Sequence, residues 1–181
     1  MNTPRQLSLC CAAVILCLAP LSGCKDDEDD ARTAVAQLTD SDGKSVGEAT
    51  FTEVATGIKL EYRGFELPAG SHGFHIHETG KCDPPSFESA GGHFNPTGAA
   101  HGLEGNDGAH VGDLPNLVVN ADGPTEYDTI IRGANLEKSD TQSLLAGDGT
   151  ALVIHRDPDD GQTDPAGNAG PRIACGVIKA R

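Results

Sequence analysis

The chain has 181 residues, 13 of them basic and 27 acidic, for a formal charge of −14; a length of this order suits one domain. The acidic balance and the lack of clustered Lys and Arg exclude nucleic acid as a partner, because phosphate binding rests on such clusters. With 4% aromatic residues and no Trp, the core must come from Val, Ile, Leu, Ala and a few Phe, and 23 Gly and 11 Pro favour short strands and many turns over long helices.

Residues 1–23 read as a leader rather than as fold. Arg5 is a thin positive start, and Leu7–Leu18 (LSLCCAAVILCL) is an apolar run too short to span a bilayer but suited to a signal-peptide core. It ends in Leu21-Ser22-Gly23-Cys24, which resembles the lipobox of bacterial lipoproteins. That resemblance implies cleavage before Cys24, acylation of this cysteine and a membrane anchor of several acyl chains, since one chain alone binds only marginally. Residues 24–33, with the run KDDEDDARTA after Cys24, carry like charge without apolar residues and read as a solvated tether. Removing the leader takes away only Arg5, which leaves 12 basic against 27 acidic residues and a charge of −15.

The domain is expected over residues 34–181. TAVAQL, GEATFTEV and GIKLEYRGF alternate apolar with polar residues and are separated by DSDGKSV and ATG, as half-buried antiparallel strands joined by tight turns should be. Ser71–His77 follows as another strand, with Gly73, His75 and His77 on one face and Phe74 and Ile76 on the other. His72 falls opposite the His75/His77 pair and reads as an ordinary surface ring. Leu117–Asn120 and Glu126–Ile131 are short strands around the turn Ala121-Asp122-Gly123, and Ala134–Leu145 is helical or irregular. Ala151–His155 (ALVIH) is a buried strand ending in a histidine, Arg156–Pro171 a second long loop, and Arg172–Ile178 the closing strand. Seven or eight short strands with frequent turns predict an all-β, Greek-key sandwich or barrel of immunoglobulin-like type, with two long functional loops.

The first of those loops concentrates the chemistry. Gly73–Asn116 holds five of the seven histidines, His75, His77, His93, His101 and His110, with Asp113 three residues after the last. An ordered loop this long is uncommon unless functional. Imidazoles with a carboxylate and no free thiolate suit zinc or copper. His155 makes a sixth ring, more than one tetrahedral ion can use, so two metals are expected. Cys82 and Cys175 are the only cysteines of the folded part and should pair with each other in an exported protein.

GFHIHETGKC, AGGHFNP, HVGDLPN and GNAGPRIACGVI resemble, in order, the signature blocks of copper/zinc superoxide dismutase. The resemblance spans roughly Ala34 to Arg181. It implies one copper and one zinc per subunit. His75, His77, His93 and His155 would hold copper, and His93, His101, His110 and Asp113 zinc, so that His93 bridges both. Asp159 matches the carboxylate that links a copper-side to a zinc-side histidine, Cys82–Cys175 the intrasubunit disulfide, and Arg172 the arginine that receives the substrate anion, with His93 its partner in catalysis. The implied reaction turns superoxide into O2 and H2O2 at a copper that cycles between Cu(II) and Cu(I), with zinc holding the bridging histidine. The implied place is the bacterial cell envelope, periplasmic or outer surface, as a monomer or homodimer.

Two points depart from a simple match. Arg156–Pro171 offers Arg156 and no lysine against Asp157, Asp159, Asp160 and Asp164, so electrostatic guidance of superoxide should be weak. A copper-storage or zinc-only lipoprotein of the same fold is the rival reading. The presence of both His155 and Arg172 weighs against it.

Overall fold

The computed structural model describes residues 31–103, 108–122 and 124–181; the leader, Cys24 and most of the acidic tether lie outside them. The strands are β1 (Thr33–Asp40), β2 (Ser45–Val54), β3 (Gly57–Gly64), β4 (Gly70–His72), β5 (Phe74–His77), β6 (Leu117–Val119), β7 (Thr125–Ile131), β8 (Ala151–His155), β9 (Arg172–Val177) and β10 (Lys179–Ala180). Among the described residues there is no α-helix, only a 3-10 turn at Glu88–Ala90. β1 starts at Thr33, and Arg32 pairs with Glu53 (3.2 Å) and Glu137 (2.8 Å). The folded part therefore begins inside the stretch expected to be tether.

The large sheet runs β5-β8-β9-β1-β2-β3-β7, with β10 against β1, while β4 and β6 form a separate pair. Every named pairing is antiparallel. Period-two alternation sets the register: Ala34, Ala36 and Leu38 of β1, Ala49 and Phe51 of β2, and Ile58, Leu60 and Tyr62 of β3 all turn inward. The sheet curls until its two end strands meet, for Phe74 of β5 and Tyr127 of β7 make an edge-to-face contact with centroids 5.1 Å apart. Leu117 and Val119 of the small sheet close the same core. A second cluster of Phe87, Ala90, Ala151, Val153 and Cys175 sits under the loop after β5. β8, buried at every position, separates the two.

Two expectations need revision. The predicted strand Ser71–His77 is two strands: His72 of β4 pairs with Leu117, whereas Phe74 of β5 pairs with Ile154. The chain changes sheets at Gly73, where a Cβ would lie 2.6 Å from that of Ala169. Together with β10, this raises the count of strands among the described residues from about eight to ten. His72 is not a surface ring but is 4% exposed, with Nδ1 2.9 Å from the His155 carbonyl and Nε2 2.8 Å from that of Pro68. Parity along one strand placed it outside, and the break at Gly73 cancels that parity. Ala134–Leu145 is irregular apart from an isolated bridge between Asn135 and Ser143.

Candidate metal centre

The long loop is ordered partly by pairing with the free edge of β5. Ile76 N–H donates to Gly112 O (2.9 Å), Phe94 N–H to Ile76 O (2.8 Å) and Gly112 N–H to Phe94 O (2.9 Å). These bonds place His93 opposite His77 and Asp113 opposite His75. β8 carries His155 in on the other side of β5, because Ala151 pairs with His77 and the ladder runs on to the strand's end.

The rings converge into two groups that share one member. His75, His77, His93 and His155 form the first, and His93, His101, His110 and Asp113 the second; within each, one ligand atom per residue lies within 4.8 Å of the others. Most of these side chains are almost wholly buried, and that of His110 is 9% exposed.

The donor atoms carry the argument for a cation. Among the described residues, His75 Nδ1 and His93 Nε2 are buried without a hydrogen-bond partner, a state that costs free energy in a dry site. His77 Nδ1–H donates to Gly91 O at 2.9 Å and His155 Nδ1–H to Gly170 O at 3.0 Å. In neutral rings this leaves both Nε2 atoms as acceptors, yet they face each other at 3.3 Å. Two lone pairs aimed at each other repel unless a cation takes both. In the second group three Nδ1 atoms converge on Asp113 Oδ1, at 2.7 Å from His93 and 3.1 Å from His101 and His110. Asp113 Oδ2 meanwhile accepts from the amides of Gly102 (2.9 Å) and His110 (3.0 Å). The residues fit one metal ion in each group.

Protonation agrees. Burial holds the His77 ring well below its ordinary pKa, aided by the Arg172 charge, and brings His93 to about 4 and His155 to about 3. Burial alone would raise Asp113, but hydrogen bonds from His93 and the Gly102 amide outweigh it and hold the carboxyl at about 2. Neutral imidazoles beside an ionised carboxylate are the forms that bind metal.

Outer contacts fix the rings. Asp159 Oδ2 lies 2.6 Å from His75 Nε2 and Oδ1 3.2 Å from His101 Nε2, so one carboxylate touches a ring of each group. Burial works against its charge, and hydrogen bonds led by that of His75 hold it below the usual carboxylate range. Asp157, Asp160 and Asp164 make other contacts: Asp157 pairs with Arg156 (2.9 Å), Asp160 binds Thr163 and Asn168, and Asp164 accepts from the His101 amide. Arg172 donates through Nη1 to Phe87 O and through Nη2 to Gly91 O, both at 2.6 Å. It lines a cleft of about 510 Å³ with Pro85, Ser86, Glu88, Gly170 and Pro171. The Cys82–Cys175 bond, with Cα atoms 5.6 Å apart, ties the loop carrying those carbonyls to β9 and marks an oxidising compartment.

Sequence reasoning missed Asn116. Its Nδ2 donates to Asp159 O at 2.8 Å and its Oδ1 accepts from Asp159 N at 2.9 Å, a reciprocal clamp on the main chain of the residue that bears the shared carboxylate. The only signal was its place at the end of HVGDLPN.

Comparison with known proteins agrees with this chemistry. The profile of the copper/zinc superoxide dismutase family matches residues 45–178. A Cu-Zn superoxide dismutase of Aquifex aeolicus is 45% identical over 147 residues, covering 81% of this chain and 86% of its own length. That of Escherichia coli is 41% identical over 148 residues, covering 76% and 80%. Among solved structures, a superoxide dismutase-like protein from Bacillus subtilis matches with TM-score 0.76 and 41% identity, over 80% of this chain and 97% of that one. The Cu/Zn superoxide dismutase of Brucella abortus gives TM-score 0.65 at 28% identity, over 81% and 99%. Copper and zinc are thus the cofactors and superoxide dismutation the activity, rather than copper storage or a zinc-only structural role: the chain belongs to the copper/zinc superoxide dismutase family.

Proposed function

We propose that His75 (through Nδ1), His77 and His155 (through Nε2) and His93 (through Nε2) hold copper, and that His93, His101 and His110 (through Nδ1) and Asp113 hold zinc. The orphaned, buried His75 Nδ1 and His93 Nε2 carry this reading, since each is the one ring nitrogen left without a protein partner where the first group converges. When bound, copper supplies one-electron redox between Cu(II) and Cu(I), so that two superoxide ions and two protons become O2 and H2O2, and zinc supplies a fixed positive charge.

The protein's own groups do the rest. Arg172, anchored by two N–H groups on Phe87 O and Gly91 O, keeps its other three to hold the small anion. His93 Nε2 would carry a proton in one half-reaction, in place of its bond to copper, and would give that proton up in the other, when the bond re-forms. Asp159, by accepting from Nε2 of His75 and His101, keeps Nδ1 of both rings free for metal. The test is metal content and superoxide scavenging of the purified protein beside His155→Ala: wild type should load both metals and turn over, and the variant should lose copper and activity. Wild type that loads copper yet does not scavenge superoxide sinks the assignment.

Residues 1–23 are proposed as a cleaved signal and Cys24 as the lipidated first residue, with the domain held close to the membrane in the bacterial envelope by a short acidic stretch, as a monomer or homodimer. LSGC and the apolar run before it support the anchor. Cys24→Ser should move the protein from the membrane to the soluble fraction and abolish incorporation of a labelled fatty acid; an unlabelled wild type rejects the anchor.

A further inference from the structure

Glu78 follows the second copper-side histidine directly, and the copper and zinc assignments leave it without a role. Its carboxylate Oε1 accepts from Gly92 N–H at 3.0 Å. That N–H belongs to the same peptide unit as the Gly91 carbonyl. The unit is planar, and in a trans peptide the two groups point in opposite directions. Gly91 O is the acceptor for both His77 Nδ1–H (2.9 Å) and Arg172 Nη2–H (2.6 Å). One peptide therefore has a carboxylate on its N–H end, and a ring of the first histidine group and the anion-binding guanidinium on its carbonyl end.

We infer that Glu78 is a positioning residue that acts through the Gly91–Gly92 peptide on His77 and Arg172; the inference rests on the copper assignment of His77. Fixing the N–H fixes the direction of the carbonyl, and a negative charge at the N–H end polarises the unit and strengthens the carbonyl as acceptor. Asp159 touches His75 directly, whereas Glu78 reaches His77 by relay. Gly91 is built for this. Its φ is 76°, and a Cβ there would stand 2.8 Å from Glu78 Oε1 and 2.9 Å from Glu78 Cγ, in the space the carboxylate uses. The main chain is secured separately, because Glu78 N–H donates to Gly92 O (2.9 Å) and Thr79 N–H to Ala90 O (3.0 Å). Loss of the carboxylate should thus free the peptide plane without unfolding the loop.

The test uses the full domain with Glu78→Ala, Glu78→Gln and, as control, His155→Ala. Copper and zinc affinities come from chelator competition, the copper environment from the Cu(II) EPR spectrum, and Arg172 from azide binding to the copper form. Glu78→Ala should weaken copper by about tenfold, the low end for an outer partner because this carboxylate is solvent-exposed. It should also shift the EPR spectrum and weaken azide, with zinc affinity unchanged. Glu78→Gln keeps an oxygen for Gly92 N–H and should recover most of the loss. Should Glu78→Ala fail to fold, Glu78→Asp, one methylene short of the amide, takes its place with the same expected loss. Copper affinity within about twofold of wild type with an unchanged spectrum overturns the inference, as does a parallel fall of copper and zinc, or a Gln variant no better than Ala. If His155→Ala keeps its copper, the copper assignment has failed instead, and the two failures are told apart.

Discussion

Removing the Cys82–Cys175 cross-link should cost this domain a large part of its stability and disturb the anion contact with it. The bond closes 93 residues of sequence separation. On the loop-entropy argument, releasing that constraint on the unfolded chain costs about 4–5 kcal/mol at 25 °C. For a folded domain of roughly 150 residues, this is a fall in Tm of about 10–15 °C. Cys175 is fully buried beside Phe87 and Val153, so Cys82→Ala/Cys175→Ala is the cleaner perturbation: it leaves small apolar groups there rather than an unpaired hydroxyl. Calorimetry of the metal-free double variant against wild type, at one pH and salt, reads the change. Because the bond holds the loop that carries Phe87 O and Gly91 O, azide affinity of the copper form should fall as well. A Tm within about 3 °C of wild type would refute the entropic reasoning, and azide affinity preserved despite a lowered Tm would refute the link to Arg172.

Two further outcomes are expected. His93 and His155 exclude protons in the fold, at about 4 and about 3 against an ordinary value of 6.5, while unfolded rings titrate normally. Their contribution to metal-free stability is therefore complete above about pH 6.5 and is lost as pH falls towards 4, at roughly 3 kcal/mol per ring over that span. Urea titrations at pH 7, 5.5 and 4.5 should show the midpoint fall at each step, and a flat profile contradicts the buried, neutral rings. The rate of superoxide removal should fall only about twofold between low and physiological salt, since Arg156 is already paired with Asp157. A steep decline in stopped-flow traces would reveal guidance that this loop does not supply.

The residues proposed as ligands stood out in the sequence because their chemistry is local. His75 and His77 at spacing two on an alternating strand, and His110 with Asp113 in one turn, announce themselves without coordinates. The strands were legible wherever alternation ran unbroken, as in TAVAQL and GIKLEYRGF. What escaped depends on contacts between distant segments. Whether the chain stays in one sheet across Gly73 is settled by the packing of Ala169 against it, and nothing nearby in sequence says so. His72 was misplaced for that reason. Asn116 and Glu78 reach backbone groups rather than partners of opposite charge, and a backbone amide leaves no residue type to read. The aspartates of the last loop read as poor guidance for an anion, and what the sequence did not show is where each one goes: Asp157 to Arg156, Asp160 to Thr163 and Asp159 to the histidines.

β5 is only four residues long, and pairing energy alone would hold it loosely against β8. Its alternate positions serve incompatible surroundings: Phe74 and Ile76 belong to the apolar core, His75 and His77 to the histidine cluster. A slip of one residue would exchange all four. The misaligned chain would put two imidazoles into the hydrocarbon and two hydrocarbon side chains where ligands are needed, spoiling core and centre together. Metal capture is thus an inspection of the fold, because only a chain that has aligned this strand correctly can keep its ions. A copper-loaded molecule carries in its cofactor a certificate of correct register.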